Sequence, residues 1–154
     1  MTISPKLRSY LARRRISYDE APHEEEAHIN RAARSAGLNG GQVAKAVVVH
    51  AGDEYMLAVV PASRQVSLGD LKRWLGREVR LAAEPELGPL FADCSMGAVP
   101  PIGDAFGLET VLDESLLGGE DIYFEGGDHR TFVHVAAGDW RRLMKNAAHS
   151  EFCA

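Results

Sequence analysis

Two apolar runs joined by a short polar turn constrain the fold of this chain more than any other feature. The stretch QVAKAVVVHAGDEYMLAVVP, residues 42–61, is apolar on both alternating parities on either side of the AGDE turn. Strands of that composition are usually covered on both faces. Two such runs around a short turn predict an antiparallel hairpin. We therefore expect a buried strand pair with other elements packed on both of its sides.

The rest of the chain mixes helices and strands without strict alternation. The first helix is predicted to start with Ser4 as N-cap and Pro5 at its first position, with Leu7, Tyr10 and Leu11 on one face. Further helices are predicted in EEEAHINRAARSAGL (24–38), SLGDLKRWLG (67–76), EPELGPLF (84–91) and GDWRRLMKNA (138–147), and further strands in ISYDEAPH (16–23), EVRLA (78–82), LETVLD (108–113), DIYFEGG (121–127) and RTFVHVA (130–136). We expect an α+β (mixed α/β) fold with a curved, mixed, mostly antiparallel sheet flanked by helices.

Length and composition narrow the class of protein. A chain of 154 residues without internal repeat or linker predicts one domain over residues 1–154. Two cysteines, Cys94 and Cys153, make no disulfide framework and fit a reducing, cytoplasmic location. No apolar run approaches membrane-spanning length and the N-terminus has no apolar signal core, so no membrane partner is expected.

The charge distribution bears on possible partners. The net charge of −5 argues against general binding to a nucleic-acid backbone. Two basic islands, RRR at 13–15 and KRWLGREVR at 72–80, are typical of solvated helix faces. Local contact between such an island and one end of an RNA is left open.

Lys45 is the first candidate functional residue, because it interrupts the first apolar run of the hairpin. A lysine there either reaches solvent along its aliphatic stem or projects into a pocket. In a pocket, its ammonium needs an anion such as a phosphate or a developing oxyanion.

The segment GAVPPIG, residues 97–103, is the second candidate, since its prolines make the backbone rigid and its glycines leave the backbone without side chains. Gly97 allows the backbone to approach a ligand closely, and a free N–H there can donate to a carbonyl oxygen. Pro100 and Pro101 would form a rigid wall that loses little entropy on binding. The alternative is a plain tight turn.

The third candidate is EGGDHR, residues 125–130, where His129 stands beside a Gly-Gly pair. This segment is either a second turn facing a ligand or a surface turn with a histidine. Cys94 has no signature of a nucleophile, and a buried structural cysteine is the favoured interpretation over an ester hydrolase acting through its thiol.

Metal binding is not supported by the histidine spacing. His23 and His28 are five apart, which separates them by roughly 140° around a helix. His129 and His134 are also five apart, on opposite sides of a strand. We expect neither a metal nor a cofactor.

Taken together, these three motifs resemble one family, the YbaK/ProX-type aminoacyl-tRNA editing domains, which are also inserted in or associated with bacterial prolyl-tRNA synthetases. The resemblance runs from LRSYLARRRISY to FVHVAAGDWRRL. Its anchors are Lys45 on the early apolar strand, GAVPP at 97–101, and His129 in GGDHRTFVHV.

The resemblance implies a free-standing trans-editing enzyme that hydrolyses the ester of a wrong small amino acid on tRNA, usually tRNA for proline. It implies water activated by the ribose hydroxyl of the substrate, no metal, and a possible prolyl-tRNA synthetase partner; the oligomeric state is left open. It assigns Lys45, Gly97 and His129 to catalysis. It assigns substrate binding to Ala46, Ser95, Ala98, Pro100, Pro101, Gly127 and Asp128.

Two positions depart from the family pattern. Ala46 follows the lysine where alanine-specific relatives tend to carry a polar side chain, and Asp128 stands where a small hydroxyl residue is common. These departures leave an alternative open, a catalytically inactive module of the same fold that binds an aminoacyl or nucleotide ligand.

Overall fold

The computed structural model describes residues 3–154, and within them one eight-stranded sheet carries five α-helices. Short 3-10 turns lie at Gly40–Gln42, Gly103–Phe106 and Glu114–Leu117. The α-helices are α1 (Pro5–Arg13), α2 (Ile29–Ser35), α3 (Leu68–Leu75), α4 (Glu84–Leu90) and α5 (Ala137–Leu143). The strands are β1 (Tyr18–Pro22), β2 (Val43–Ala51), β3 (Glu54–Pro61), β4 (Val79–Leu81), β5 (Glu109–Asp113), β6 (Ile122–Glu125), β7 (Thr131–Val135) and β8 (Ala148–Ser150).

The predicted hairpin is confirmed as β2 and β3, which pair antiparallel from Ala44 opposite Pro61 to Ala51 opposite Glu54. It lies in the middle of the strand order β1-β7-β6-β2-β3-β5-β8, with β4 paired to β2. Four of the strand pairs are antiparallel and three are parallel, so the sheet is mixed and mostly antiparallel, as expected.

Both faces of the hairpin are covered, which explains its doubly apolar sequence. On one face, Val48 and Leu57 join a core that includes the buried residues of α1 and α5. On the other face, Val49 and Met56 pack with Leu71 of α3. Alternating side chains of one strand thus enter two different cores.

One edge of β2 is shared by two strands, and this division positions the site. Val43 and Ala44 pair in parallel with β6, whereas Val49–Ala51 pair antiparallel with β4. Within residues 3–154, no strand pairs with Lys45 or Ala46 along that edge. The sheet therefore opens beside these two residues, and loops enter the opening.

The start of α1 confirms the predicted cap and anchors two of these loops. The Ser4 hydroxyl oxygen accepts the Leu7 N–H at 3.2 Å and the hydroxyl donates to Asp93 at 2.8 Å. The Ser4 N–H donates to the Gly126 carbonyl at 2.8 Å. As predicted, Leu7, Tyr10 and Leu11 are buried.

Two element predictions are wrong in detail. The helix expected from residue 24 starts at Ile29, because the preceding backbone is held elsewhere: the N–H groups of His23 and Glu26 donate to the carbonyls of Arg130 (2.8 Å) and His129 (3.0 Å). The last predicted helix ends at Leu143, and the chain then forms β8 beside β5. Among residues 3–154, none of the helices has the length and apolar composition needed to cross a bilayer.

Candidate active site

A cleft of about 120 Å³ opens where β2 loses its strand partner. It brings together Lys45, Gly97 and His129, the three residues predicted to carry chemistry. Its lining is Ala27, Ile29, Lys45, Ala46, Gly97, Val99, Glu125 and His129.

Lys45 projects from the β2 edge into this cleft and is half-buried. Burial lowers the pKa of its ammonium. Among residues 3–154, no carboxylate or carbonyl lies within hydrogen-bond or ion-pair distance of the ammonium. A partly desolvated cation without a partner is stabilised by an anion, so the cleft is suited to a negatively charged or strongly polarised oxygen.

Gly97 forms the opposite wall and presents its backbone to the cleft. Its φ of +78° lies in the left-handed region, and a Cβ built there would meet only His129 Nε2, at 3.9 Å. The adjacent Ala98 N–H donates to the Ser95 carbonyl at 2.9 Å, whereas the Gly97 N–H has no acceptor within residues 3–154. An unpaired backbone donor at a cleft is available to a ligand oxygen.

The residues after Gly97 anchor this loop in the protein interior. Ala98, Pro100 and Pro101 are buried, and Val99 between them reaches the cleft. Ser95 is exposed and lines a neighbouring pocket of about 130 Å³, which shares Gly97 and Val99 with the cleft. The binding roles of Ser95, Ala98 and the prolines stay predictions.

Glu125, which sequence reasoning missed, organises the second loop of the site. One carboxylate oxygen accepts three consecutive backbone N–H groups, from Gly127 at 2.7 Å and from Asp128 and His129 at 3.2 Å each. Glu125 is only 7% exposed. The available signal was an acidic residue directly before a Gly-Gly turn, where successive N–H groups can form an anion-binding nest.

His129 connects the two loops. Its Nε2 lies 2.7 Å from the Met96 carbonyl oxygen. Because a carbonyl only accepts, Nε2 carries the hydrogen and the Nδ1 side faces Glu125, with 3.7 Å between Nδ1 and the carboxylate. His129 itself has a φ of +61°, an uncommon backbone conformation that the nest around Glu125 holds in place. The histidine thereby fixes the peptide that leads into Gly97.

Gly127 and Asp128 belong to the same turn, but neither is among the residues that line the cleft. The Asp128 carboxylate accepts the Arg130 N–H at 2.8 Å and the Thr131 hydroxyl at 3.0 Å. A Cβ at Gly127 would come within 3.1 Å of Ser4 and 3.2 Å of the Cys94 sulfur. Their contribution to substrate binding stays a prediction.

Cys94 lies close by but has the wrong protonation state for a nucleophile. Burial, followed by the neighbouring Asp93 carboxylate, raises the pKa of its thiol to about 12. The sulfur is therefore a neutral thiol at physiological pH. Residues 3–154 bring no three histidine, cysteine or acidic side chains together as a metal site.

Comparisons with known proteins agree with this geometry. A sequence model of the family described as aminoacyl-tRNA editing domain matches residues 23–143, which include Lys45, Gly97, Glu125 and His129. The solved structure of a candidate trans-editing enzyme for prolyl-tRNA synthetase is 26% identical, with a TM-score of 0.81 over 99% of each chain.

Two further solved structures share the fold. A hypothetical protein is 19% identical, with a TM-score of 0.84 over 97% of this chain and 99% of its own. A scaffold protein used for computational grafting of epitopes is 23% identical, with a TM-score of 0.82 over 98% and 97% of the two chains. The family match over most of the chain confirms the resemblance seen in the sequence: this chain belongs to the aminoacyl-tRNA editing domain family and has the YbaK-type fold.

Proposed function

We propose that this chain is a trans-acting deacylase that hydrolyses the ester between a mischarged small amino acid and tRNA for proline. The observation that carries the proposal is the pairing, in one small cleft, of the unpaired Lys45 ammonium with the unpaired Gly97 N–H. The proposal places the protein in the cytoplasm, with a prolyl-tRNA synthetase as the source of its substrate.

Gly97 supplies stabilisation of the transition state. Water adds to the ester carbonyl carbon, and the carbonyl oxygen becomes an oxyanion. A preorganised N–H aimed at that oxygen lowers the barrier, and Gly97 is held for this by the hydrogen bond from His129 to Met96. His129 is a positioning residue in this scheme.

The proton transfers of the reaction are proposed to involve only the attacking water and the substrate, with no side chain of the protein as proton carrier. The carbonyl carbon–ribose oxygen bond breaks, and one proton of the water passes to the departing ribose oxygen. The other proton is released as the free amino acid ionises. The neighbouring ribose hydroxyl is suited to orient and polarise the water. Of the two candidate bases that line the cleft with Gly97 in residues 3–154, the Glu125 carboxylate already accepts backbone N–H groups, and His129 turns its Nδ1 towards Glu125.

Lys45 holds the negatively charged part of the substrate. An ammonium whose pKa is lowered by burial is stabilised when a phosphate oxygen or the oxyanion takes up the vacant partner position. Such a contact orients the ester against Gly97, and correct orientation alone contributes a large part of many rate accelerations.

The walls of the cleft favour a small acyl group. Ala27, Ile29, Ala46 and Val99 are apolar, and the volume is about 120 Å³. A cleft of that size excludes larger residues by steric clash, which is the logic of a second sieve in editing.

Deacylation of tRNA for proline charged with alanine, cysteine, serine or threonine tests the proposal, with correctly charged prolyl-tRNA as the specificity control. We expect rapid hydrolysis of at least one mischarged species and loss of about 100-fold or more of the rate in Lys45→Ala. Lys72→Ala is the matched control, because Lys72 is paired with Glu78 on the exposed surface of α3. A folded wild-type protein that hydrolyses none of these substrates would contradict the proposal and favour the inactive binding module.

A further inference from the structure

A second concave surface lies at the far end of α1. This groove, which we call the arginine groove, has a volume of about 560 Å³. Its lining consists of Tyr10, Arg13, Arg14, Asp104 and Asn146. Every one of these side chains can form hydrogen bonds, so the groove suits a polar ligand rather than an apolar one.

Positive charge in and beside the groove is not neutralised. Arg13, Arg14 and Arg15 are consecutive and exposed, and none of them forms an ion pair with a carboxylate within residues 3–154. The guanidinium carbons of Arg13 and Arg14 lie 5.9 Å and 5.2 Å from the centre of the Tyr10 ring. Stacking on an aromatic ring orders a guanidinium while leaving its outer N–H groups free.

The acidic residue of the groove is already engaged. Asp104 accepts a hydrogen bond from the Tyr10 hydroxyl at 3.2 Å. The Tyr10 hydroxyl also interacts with the Arg14 side chain. Within residues 3–154, Asp104 forms no ion pair with the guanidinium of Arg13 or Arg14. The local surface therefore keeps a positive balance on a chain whose net charge is −5.

The neighbouring end of α5 fixes the backbone of the arginine segment. Arg142 donates to the Arg14 carbonyl at 2.6 Å and to the Arg15 carbonyl at 3.3 Å, and it pairs with Asp139 at 2.9 Å. Its charge is thus used to cap α1. Lys145, just beyond α5, is exposed and adds a further positive charge beside the groove.

The position of the groove relative to the cleft suggests its ligand. Ser4, the N-cap of α1, is hydrogen-bonded to Asp93 and Gly126 beside the cleft, and the nine residues of α1 rise about 13 Å from there to Arg13. At about 3.4 Å per stacked nucleotide, that length corresponds to about four nucleotides of one strand. Planar guanidinium groups bind phosphate oxygens in a bidentate manner.

We propose that the arginine groove binds phosphates of the tRNA strand that leads away from the ester in the cleft. This inference rests on the proposed function, since it takes the RNA that carries the ester as the ligand. Arg13 and Arg14 make the phosphate contacts, and Lys145 adds attraction at longer range. They provide local affinity for RNA that the acidic chain as a whole lacks.

The test compares binding of uncharged tRNA for proline with hydrolysis of two substrates, the mischarged tRNA and 2′(3′)-O-alanyl-adenosine, which lacks the flanking phosphates. In the variant Arg13→Gln/Arg14→Gln we expect about tenfold weaker tRNA binding and a salt-dependence slope smaller by about 2. KM for the charged tRNA rises by a similar factor, while kcat and hydrolysis of the small substrate stay unchanged. Arg13→Lys/Arg14→Lys retains most of the affinity.

The matched control is Lys72→Gln/Arg73→Gln on α3, which removes the same charge from residues paired with Glu78 and Asp70. Unchanged tRNA affinity in the groove variant, or an equal loss in the control, would overturn the inference. The inference would also be overturned if the groove variant lost binding to a prolyl-tRNA synthetase but kept its affinity for tRNA. A wild-type chain that binds tRNA through Arg13 and Arg14 but hydrolyses no aminoacyl-tRNA would support the groove and remove the proposed activity.

Discussion

The two loops that form the cleft use their backbone donors in opposite ways. In the loop at 125–129, three successive N–H groups donate to the Glu125 carboxylate, and the whole segment is buried. In the loop at 95–97, the residues are exposed, Met96 to 60%, and the Gly97 N–H has no acceptor within residues 3–154. One loop is saturated with internal hydrogen bonds, and the other keeps a donor for a ligand.

The difference indicates a division of labour between support and contact. The buried loop holds the exposed one through the Ser95 N–H, which donates to the Gly127 carbonyl at 2.8 Å, and through the bond from His129 to Met96 at 2.7 Å. A free donor contributes to binding or catalysis only if it does not move, because movement costs the preorganisation that makes it effective. The comparison therefore predicts that changes in the buried loop at 125–129 act on stability and that changes in the exposed loop at 95–97 act on activity.

Replacing Glu125 should have the largest effect, and it should appear as lost stability. Glu125→Ala leaves three buried N–H groups without their acceptor. Hydrogen bonds to charged groups contribute about 1.5–3 kcal/mol each, so we expect a loss of about 3 kcal/mol or more in the free energy of unfolding. For a domain of this size the melting temperature falls by about 10 °C.

Urea or thermal unfolding measures this change. Glu120→Ala, an exposed glutamate just before β6, is the matched control and should change the stability by less than about 0.5 kcal/mol. Glu125→Gln keeps a carbonyl acceptor and should fall between the two. Wild-type stability in Glu125→Ala would show that the N–H groups find other acceptors and would remove the support role of this loop.

Replacing Gly97 should have the next largest effect, and it should appear as lost activity. An alanine there disfavours the left-handed backbone at a φ of +78°, at a cost of about 1–2 kcal/mol, and rotation of the peptide would turn the N–H away from the substrate. Loss of one such donor typically lowers kcat by about 100-fold or more. We expect that loss in deacylation of the mischarged tRNA.

Gly107→Ala is the control that separates strain from chemistry. Gly107 has a φ of +71°, and a Cβ there meets nothing within 4 Å, so the backbone cost is matched but the position is outside the cleft. Its variant should lose similar stability and keep its activity. Equal activity losses in both variants would mean that strain, and not the Gly97 donor, controls the rate.

Sequence reasoning located the exposed loop better than the buried one, for a physical reason. Glycine and proline mark loops in a sequence by their residue type alone, so Gly97 and the prolines after it could be identified without the structure. The role of Glu125 depends on three N–H groups that converge only when His129 adopts a left-handed backbone. An acidic residue before a Gly-Gly pair is the one sign of this in the sequence, and it does not report the backbone conformation of His129. The Asp128 side chain, which is bound within its own turn, was likewise assigned a place at the substrate from resemblance alone.

The same contrast applies to the fold. The β2–β3 hairpin and the Ser4 cap of α1 follow from local periodicity and capping chemistry, and both are confirmed. The strand β8 has the short sequence AHS, which shows no apolar alternation, and becomes a strand only through parallel pairing with β5. The start of α2 is set by hydrogen bonds from His23 and Glu26 to the loop at 129–130. Contacts between distant segments decided these elements, so the local sequence did not predict them.

Replacing Cys94 should have the smallest effect, because its thiol packs against the buried loop and takes no part in the proposed hydrolysis. Its thiol packs against Gly127, and burial raises its pKa from the usual 9.0 to about 12. A group whose pKa is higher in the folded state stabilises the fold fully below its unfolded pKa. Its contribution is lost as the pH rises from about 9 towards 12. We therefore expect the free energy of unfolding to fall more steeply over that range in the wild type than in Cys94→Ala, while deacylation at neutral pH stays within about twofold.

Cys153→Ala corrects for the second thiol, whose pKa burial also raises. Loss of deacylation in Cys94→Ala, together with rapid alkylation of Cys94 at neutral pH in the wild type, would instead identify the Cys94 thiol as a nucleophile and would contradict the role proposed for the Gly97 N–H.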